Sequence, residues 1–331
     1  NIVLIICVPS KPRWLRSAPL DPTSLRYAMR LPYQTLDVFT QSRFGGNPLA
    51  VVHQADKLSD AQMQAIAHEF NLSETVFLCE PHNLVHAARA RIFTPTHEVP
   101  FAGHPTIGAA IALALREAPK LLTTRDMTLM IEEEIGVLEC TVRHRQGQTP
   151  AATFNLLDAP VEEIWAPDRE RLARALNLTP EDIGFDWHQA CCLSAGLGFT
   201  FVPVRSLEAI VQARPQMENW IEGMGPEGFQ NAFLYTRETQ HKDVHFHCRM
   251  FAPLLGVTED PATGSAAAAF SGVIERFEKP ADGEHIFLLE QGLEMNRASL
   301  MALTVQISLG ELTGASIGGH AVPVMQGEIE V

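Results

Sequence analysis

The chain has 331 residues, 46% of them hydrophobic and 19% charged, a composition of ordinary soluble globular protein with length enough for two domains. A core of that size needs no disulfide or metal staple. The formal net charge of −14 argues against nucleic acid or an anionic membrane as partner, because phosphate binding needs clustered cations, but a single locally positive site can still take a small anion.

Residues 1–10 form an apolar run that lacks a basic leading segment and is too short to span a membrane. Pro9, Pro12, Pro19 and Pro22 fit a poorly ordered stretch, and Met29 is the first methionine. Residues 1–30 therefore read as an N-terminal extension outside the fold. Strand-like alternation begins at 33–39, turns at Arg43-Phe44-Gly45-Gly46-Asn47 and resumes at 48–53. Ser59 predicts the cap of a helix to about Phe70. Strands are expected at 75–79 and 86–93. Residues 105–116 form a helix that is apolar on almost every side, so something must wrap it. A hairpin is expected over 128–134 and 137–142, turned at Gly136, with 154–157 continuing the sheet. Ala166-Pro167-Asp168 opens a polar helix to about Leu176.

The second half repeats the plan, with strands at 191–193 and 200–204, a helix at 206–213, strands at 233–236 and 244–250, and an apolar helix at 265–277. Strands broken by Gly292, Gly310, Gly314 and Gly318-Gly319 complete the chain. The repeat is visible in residues. Arg91-Ile92-Phe93-Thr94-Pro95 leads to Ala102-Gly103-His104 and the first apolar helix; Arg249-Met250-Phe251-Ala252-Pro253 leads to Thr263-Gly264-Ser265 and the second. The class is α/β (α+β): two pseudo-symmetric halves, each a barrel-like, mainly antiparallel sheet around a central apolar helix. The halves are placed at 31–150 and 151–319, and a strand near 320–331 can return to the first.

A buried helix start presents unpartnered N–H groups and a positive dipole end, and a glycine there lets a ligand come close. Gly103 and Gly264 are therefore candidate anion or oxyanion sites, although each alone is equally compatible with a tight turn. Glu74, in Leu72-Ser73-Glu74-Thr75, is either a solvated turn carboxylate or a general base raised in pKa by burial. His104, between Gly103 and Pro105, can be structural or can donate to a substrate anion and shuttle a proton. Asp260 can be a turn acid or can orient a substrate amine or hydroxyl. Two patterns point elsewhere. His245 and His247 share a strand face near His241, a thin basis for a metal-dependent hydrolase. Gly45-Gly46-Asn47-Pro48 lacks the GxxxxGK[ST] pattern of a phosphate loop and reads as a hairpin turn. The six cysteines, Cys7, Cys79, Cys140, Cys191, Cys192 and Cys248, form no CxxC pair and read as buried thiols of a reducing, cytoplasmic compartment.

Taken jointly, these segments resemble the phenazine-biosynthesis PhzF-like family, part of the diaminopimelate epimerase-like fold. The matching stretches include Gly46-Asn47-Pro48-Leu49-Ala50-Val51-Val52, Leu72-Ser73-Glu74-Thr75, Val99-Pro100-Phe101-Ala102-Gly103-His104-Pro105-Thr106 and Glu259-Asp260-Pro261-Ala262-Thr263-Gly264-Ser265-Ala266. The resemblance spans about residues 32–331. It implies an active site in the cleft between the halves, proton transfer by one glutamate falling on Glu74, and substrate-binding or proton-shuttling roles at Gly103, His104, Asp260, Gly264 and Ser265. It also implies no metal or organic cofactor, a small anionic metabolite as substrate and a homodimer. Related racemases carry a cysteine beside each glycine motif, where this chain has Ala102 and Ala262. One departure is Met295-Asn296-Arg297-Ala298-Ser299, where the family usually reads Met-Gly-Arg-Pro-Ser. The expected function is a cofactor-independent isomerase; the alternative is a non-catalytic binder of a small anion in the same cleft.

Overall fold

A computed structural model describes residues 29–163, 168–225 and 228–331. Of the expected extension, residues 1–28 lie outside the described residues, as do Ala166 and Pro167 at the start of the polar helix; Arg30 already opens the first strand. In chain order the first half is β1 (Arg30–Val38), β2 (Asn47–Val52), α1 (Asp60–Phe70), β3 (Glu74–Cys79), β4 (Ala88–Phe93), β5 (Glu98–Val99), α2 (Gly103–Glu117), α3 (Pro119–Leu122), β6 (Met127–Glu133), β7 (Gly136–Arg143) and β8 (Ala151–Asn155). Then follow β9 (Val161–Glu163), α4 (Arg169–Leu176), β10 (Cys191–Ala195), β11 (Leu197–Pro203), α5 (Leu207–Gln212), α6 (Met217–Met224), β12 (Ala232–Thr236), β13 (Phe246–Ala252), β14 (Val257–Asp260), α7 (Gly264–Val273), β15 (Gly283–Gln291), β16 (Ser299–Ser308) and β17 (Glu311–Glu330).

Strand pairing closes an eight-stranded barrel in the order β1, β2, β3, β4, β6, β7, β8 and β17. Only β2–β3 and β4–β6 are parallel. The second half builds the same succession from β10, β11, β12, β13, β15, β16 and β17, with β11–β12 and β13–β15 parallel. Each half ends by reaching into the other. β17 pairs with β16 over its first part and with β1 from Ala321 to Glu330. The stretch after β8 crosses the opposite way, so that β9 pairs with β10. β8 and β17 pair with each other where they cross. The class read from the sequence, mixed α+β with barrel sheets around central helices, is the one observed.

The apolar helices are explained by this wrapping. α2 is buried from Gly103 to Ala114, and α7 is buried along its whole length. Ala-rich faces let the strands come close, and Phe270 fills the second barrel by packing on Phe201, Phe233, Tyr235 and Phe246. The expected helix over 265–277 stops at Val273 and adds one wider turn, Ile274–Glu278. α1 begins at the Ser59 cap, reinforced by a reciprocal Gln62 bond, and ends at Asn71 in the left-handed region.

Two readings of the sequence give way. β17 runs unbroken through Gly314 and Gly318-Gly319. These last two glycines make room rather than turns: a Cβ on Gly318 would stand 2.8 Å from Thr153 Oγ1, and one on Gly319 would stand 2.3 Å from the Phe39 ring. α6 was not anticipated, although Met217, Trp220, Ile221 and Met224 follow helical spacing.

The internal repeat extends to charged anchors. Arg91 holds Glu98 at 2.6 and 2.7 Å, and Arg249 holds Glu259 at 2.8 and 2.9 Å, pinning β5 to β4 and β14 to β13. Glu132 accepts the backbone N–H groups of His82 and Asn83; Glu290 accepts those of Gln240 and His241. The next residues differ, with Glu133 in one half and Gln291 in the other. Glu133 is buried with Oε2 unpartnered, and burial pushes its carboxyl up to about 8.

The starts of α2 and α7 abut. A Cβ on Gly103 would lie 2.4 Å from the carbonyl carbon of Gly264, and one on Gly264 would lie 2.9 Å from that of Gly103. Gly103→Ala is expected to cost about 1–3 kcal/mol or more, since backbone must move. Gly314→Ala, whose nearest contact would be Gln306 Cβ at 3.9 Å, is the control and should stay within about 0.5 kcal/mol in urea unfolding. A second prediction concerns Glu133. Its folded pKa lies above the unfolded carboxylate value, so the folded state keeps a proton that the unfolded state gives up, and stability falls as pH rises between about 4.3 and about 8. Glu133→Gln removes that dependence. Its stability relative to wild type should rise from pH 4 to pH 8, as read from urea midpoints; a constant difference would contradict the assignment.

Candidate active site

The abutting helix starts form one wall of a cavity of about 140 Å³. All six residues singled out in the sequence line it: Glu74, Gly103, His104, Asp260, Gly264 and Ser265. Glu74 is the first residue of β3, where the chain leaves α1, and Asp260 is the last of β14. His104 and Ser265 are the second residues of α2 and α7. The leading N–H groups of both helices have no partner within their own helix. Met250, Leu255, Leu197 and Phe101 supply apolar walls.

The two carboxylates differ in their surroundings. Asp260 accepts from Asn47 Nδ2 at 2.9 Å, Ser73 Oγ at 3.1 Å and Thr263 Oγ1 at 2.6 Å. Burial pushes it up to about 6, against the pull of those donors. Gln291 braces the same turn by donating to the Asp260 carbonyl and Thr263 Oγ1, while accepting from the Thr263 N–H. Glu74 has no such support. Its Oε2 is buried without a hydrogen-bond partner, and its pKa is raised well above the usual value by burial first and by Asp260 second. Its side chain is 20% open, and it lines the cavity. Of the pair, Glu74 is the acid that holds a proton and Asp260 the one that stays charged, because only Asp260 has donors to stabilise the anion. His104 Nε2 lies 3.5 Å from Glu74 Oε2, too long for a strong bond, and is also unpartnered. Burial lowers the His104 pKa to about 3, so the ring is neutral.

The repeat gives each site residue a counterpart. Thr75 pairs with Phe93, and Ala232 pairs with Phe251, at equivalent places in the two Arg-x-Phe strands. The residue before each is Glu74 in one half and Asn231 in the other, and both line the cavity. Likewise His104 matches Ser265, Val99 matches Asp260 and Ala102 matches Thr263. Thr263, not Ala262, is therefore the residue beside the second glycine. Ala262 is fully buried and uses its carbonyl to accept from Asn47. Among the described residues no cysteine lines the cavity.

Asn47, Ser73, Asn231, Thr263 and Gln291 were not singled out in the sequence. Asn231 could have been found by extending the repeat one strand earlier, since it precedes 232–236 as Glu74 precedes 75–79. The histidines suspected of binding metal do not converge. His247 is buried, with its ring nitrogens 2.9 Å from Glu290 and Glu294, and His245 Nδ1 accepts the Leu288 N–H. Those two glutamates raise the His247 pKa to about 8 despite its burial. Among the described residues no group of three His, Cys, Asp or Glu is arranged to hold a metal ion, and no helix is long and apolar enough to cross a membrane. Arg297, in the stretch that departs from the family pattern, pairs with Asp37 at 2.5 Å, and Asn296 takes the left-handed conformation at φ 56° that Asn tolerates.

Comparison with known proteins agrees with this architecture. The phenazine biosynthesis-like protein family, PhzC-PhzF, matches residues 36–327. An uncharacterised isomerase of Mesorhizobium japonicum is 44% identical over 301 residues, covering 90% of this chain and 98% of the relative. The trans-2,3-dihydro-3-hydroxyanthranilate isomerase of Pseudomonas chlororaphis is 33% identical over 300 residues, with 90% and 98% covered. Among solved structures, the Bacillus anthracis phenazine biosynthesis protein of the PhzF family superimposes with a TM-score of 0.80 at 28% identity, over 92% of this chain and 100% of that one. The chain is an isomerase and belongs to the phenazine biosynthesis-like, PhzF, family.

Proposed function

We propose that the chain is a cofactor-independent isomerase that moves a proton on a small carboxylate-bearing metabolite, with Glu74 as the only base. The observation that carries this reading is the pairing of Glu74 with Asn231 across the repeat. A two-base racemase needs a proton acceptor on each side of its substrate. Of the two carboxylates lining this cavity, Asp260 is held by three hydrogen-bond donors and Glu74 by none, and the position that matches Glu74 in the second half is a carboxamide, which takes up no proton near neutral pH.

In this reading ionised Glu74 removes a proton from a carbon activated by a neighbouring carboxylate, imine or diene. The charge that develops is met by the helix starts at Gly103 and Gly264, where one donor is worth roughly 3 kcal/mol of transition-state stabilisation. Neutral His104 donates from Nε2, and charged Asp260 orients an amine or hydroxyl of the substrate. The protonated Glu74 then gives the same proton to another carbon on the same face. A raised pKa suits this task, because the neutral carboxyl is a stable carrier between the two carbons.

The first substrate to try is trans-2,3-dihydro-3-hydroxyanthranilate, the compound in the name of the Pseudomonas chlororaphis relative. Glu74→Gln should lower solvent-deuterium incorporation into it by about 10²–10⁴-fold. Incorporation at the wild-type rate would remove Glu74 from the role. The base must be ionised to act, so kcat/KM should rise with pH through a value above the ordinary carboxylate range, and Asp260→Asn, which takes a negative charge away from Glu74, should move that rise to lower pH.

A further inference from the structure

Asn47 was read in the sequence as part of a hairpin turn, and the proposed reaction gives it no task. Its placement is nonetheless tightly determined. Gly46 sits at φ 63°, and a Cβ there would meet the Val38 carbonyl oxygen at 2.3 Å. Asp37 accepts the Phe44 N–H at 2.6 Å, while Arg297 donates to Asp37 at 2.5 Å, to the Gly45 carbonyl at 2.8 Å and to the Gly46 carbonyl at 2.7 Å. A turn that needed only to reverse the chain would not require a guanidinium from more than 200 residues away on three of its groups.

The clamp delivers one fully buried amide to the centre of the site. Asn47 Nδ2 lies 2.9 Å from Asp260 Oδ1, 2.9 Å from the Ala262 carbonyl and 3.2 Å from His104 Nδ1. A carboxylate and a carbonyl can only accept, so the amide must turn its NH₂ group toward them; turned over, its oxygen would face two oxygens. Asn47 Oδ1 has no partner of its own, so nothing on that side opposes this orientation. Two hydrogens serve three acceptors, so one is shared with His104 Nδ1 at the longer 3.2 Å; an Nδ1–H would point at an amide nitrogen that cannot accept, so Nδ1 presents its lone pair. In the neutral ring the proton is left on Nε2, the nitrogen 3.5 Å from Glu74 Oε2.

We propose that Asn47 is a positioning residue that fixes His104 as the Nε2–H tautomer and ties it to Asp260, so that His104 faces Glu74 and the substrate as a donor. This rests on the reading of Glu74 as the base. With the opposite tautomer, His104 Nε2 would present a lone pair and could accept but not donate a hydrogen bond toward Glu74 and the substrate. The amide also joins the two halves, because Asn47 and His104 come from the first barrel and Asp260 and Ala262 from the second.

The test is nitrogen NMR of the full chain labelled with ¹⁵N-histidine, the His104 signals being identified by their loss in His104→Ala. Wild type is expected to show a protonated Nε2 and an unprotonated Nδ1 across neutral pH. Asn47→Ala should spread the proton over both nitrogens and lower turnover of trans-2,3-dihydro-3-hydroxyanthranilate on the order of 10²-fold. Asn47→Ser, whose short hydroxyl cannot span the gap to Nδ1, should behave the same way and serves if the alanine variant does not fold. Glu74→Gln should leave the tautomer unchanged, so failure of the base assignment and failure of this one are told apart. An Nδ1–H tautomer in wild type overturns the proposal, and so does an unaltered Nε2–H tautomer in either Asn47 variant.

Discussion

The contact on which the structure depends is between two helix starts. α2 and α7 meet backbone to backbone at Gly103 and Gly264, close enough that neither position has space for a methyl group. Each helix start carries about half a positive charge, so bringing two together is repulsive unless anions lie nearby. Asp260 supplies one such charge, Glu74 supplies a second when ionised, and a bound carboxylate or enolate would supply another. The same contact dictates the surroundings. Two helices that end inside the molecule must be apolar on every side, and only sheets curled around them can bury such surfaces.

The two halves share what holds the fold and differ in what the site needs. Arg91–Glu98 and Arg249–Glu259 occupy equivalent places, as do Glu132 and Glu290, each of which ties down a loop through backbone N–H groups. At the cavity the counterparts part ways, with Glu74 against Asn231, His104 against Ser265 and Val99 against Asp260. A symmetric frame therefore carries an asymmetric set of groups. The titratable side is assembled from both barrels: Glu74 and His104 come from the first, Asp260 from the second. Asn47 contacts both His104 and Asp260, which is why the clamp on its turn matters for the site as well as for the hairpin.

Much of this was legible in the sequence because the strongest signals are local. An apolar run after a glycine, 107–115 in one half and 266–270 in the other, each behind the same strand motif, marks both buried helices and the repeat. The Ser59 cap and the Gly136 hairpin are local as well, and the site residues next to Gly103 and Gly264 follow from them. What escaped depends on distant contacts. β17 looked broken because its glycines could have been turns; only Thr153 and Phe39, far away in sequence, show that they make room for neighbours. The burial of Glu74 cannot be read from its own segment, where it resembles any turn acid. Asn47 gains its meaning from atoms more than 50 and 200 residues away. A strand near 320–331 returning to the first half was read from the sequence, whereas the crossing of β9 to the second barrel leaves no mark in it beyond a length of chain able to reach.

Proton movement on one face is the central claim, and the stereochemical course tests it most directly. A substrate carrying deuterium at the carbon that loses its proton would be turned over in ordinary water, and the product analysed for the position, amount and face of the label. Proton transfer by Glu74 alone predicts that the new C–H bond forms on the face from which the deuterium left, with part of the label carried across. A new bond on the opposite face would contradict the account, because a group other than Glu74 would then have delivered the proton.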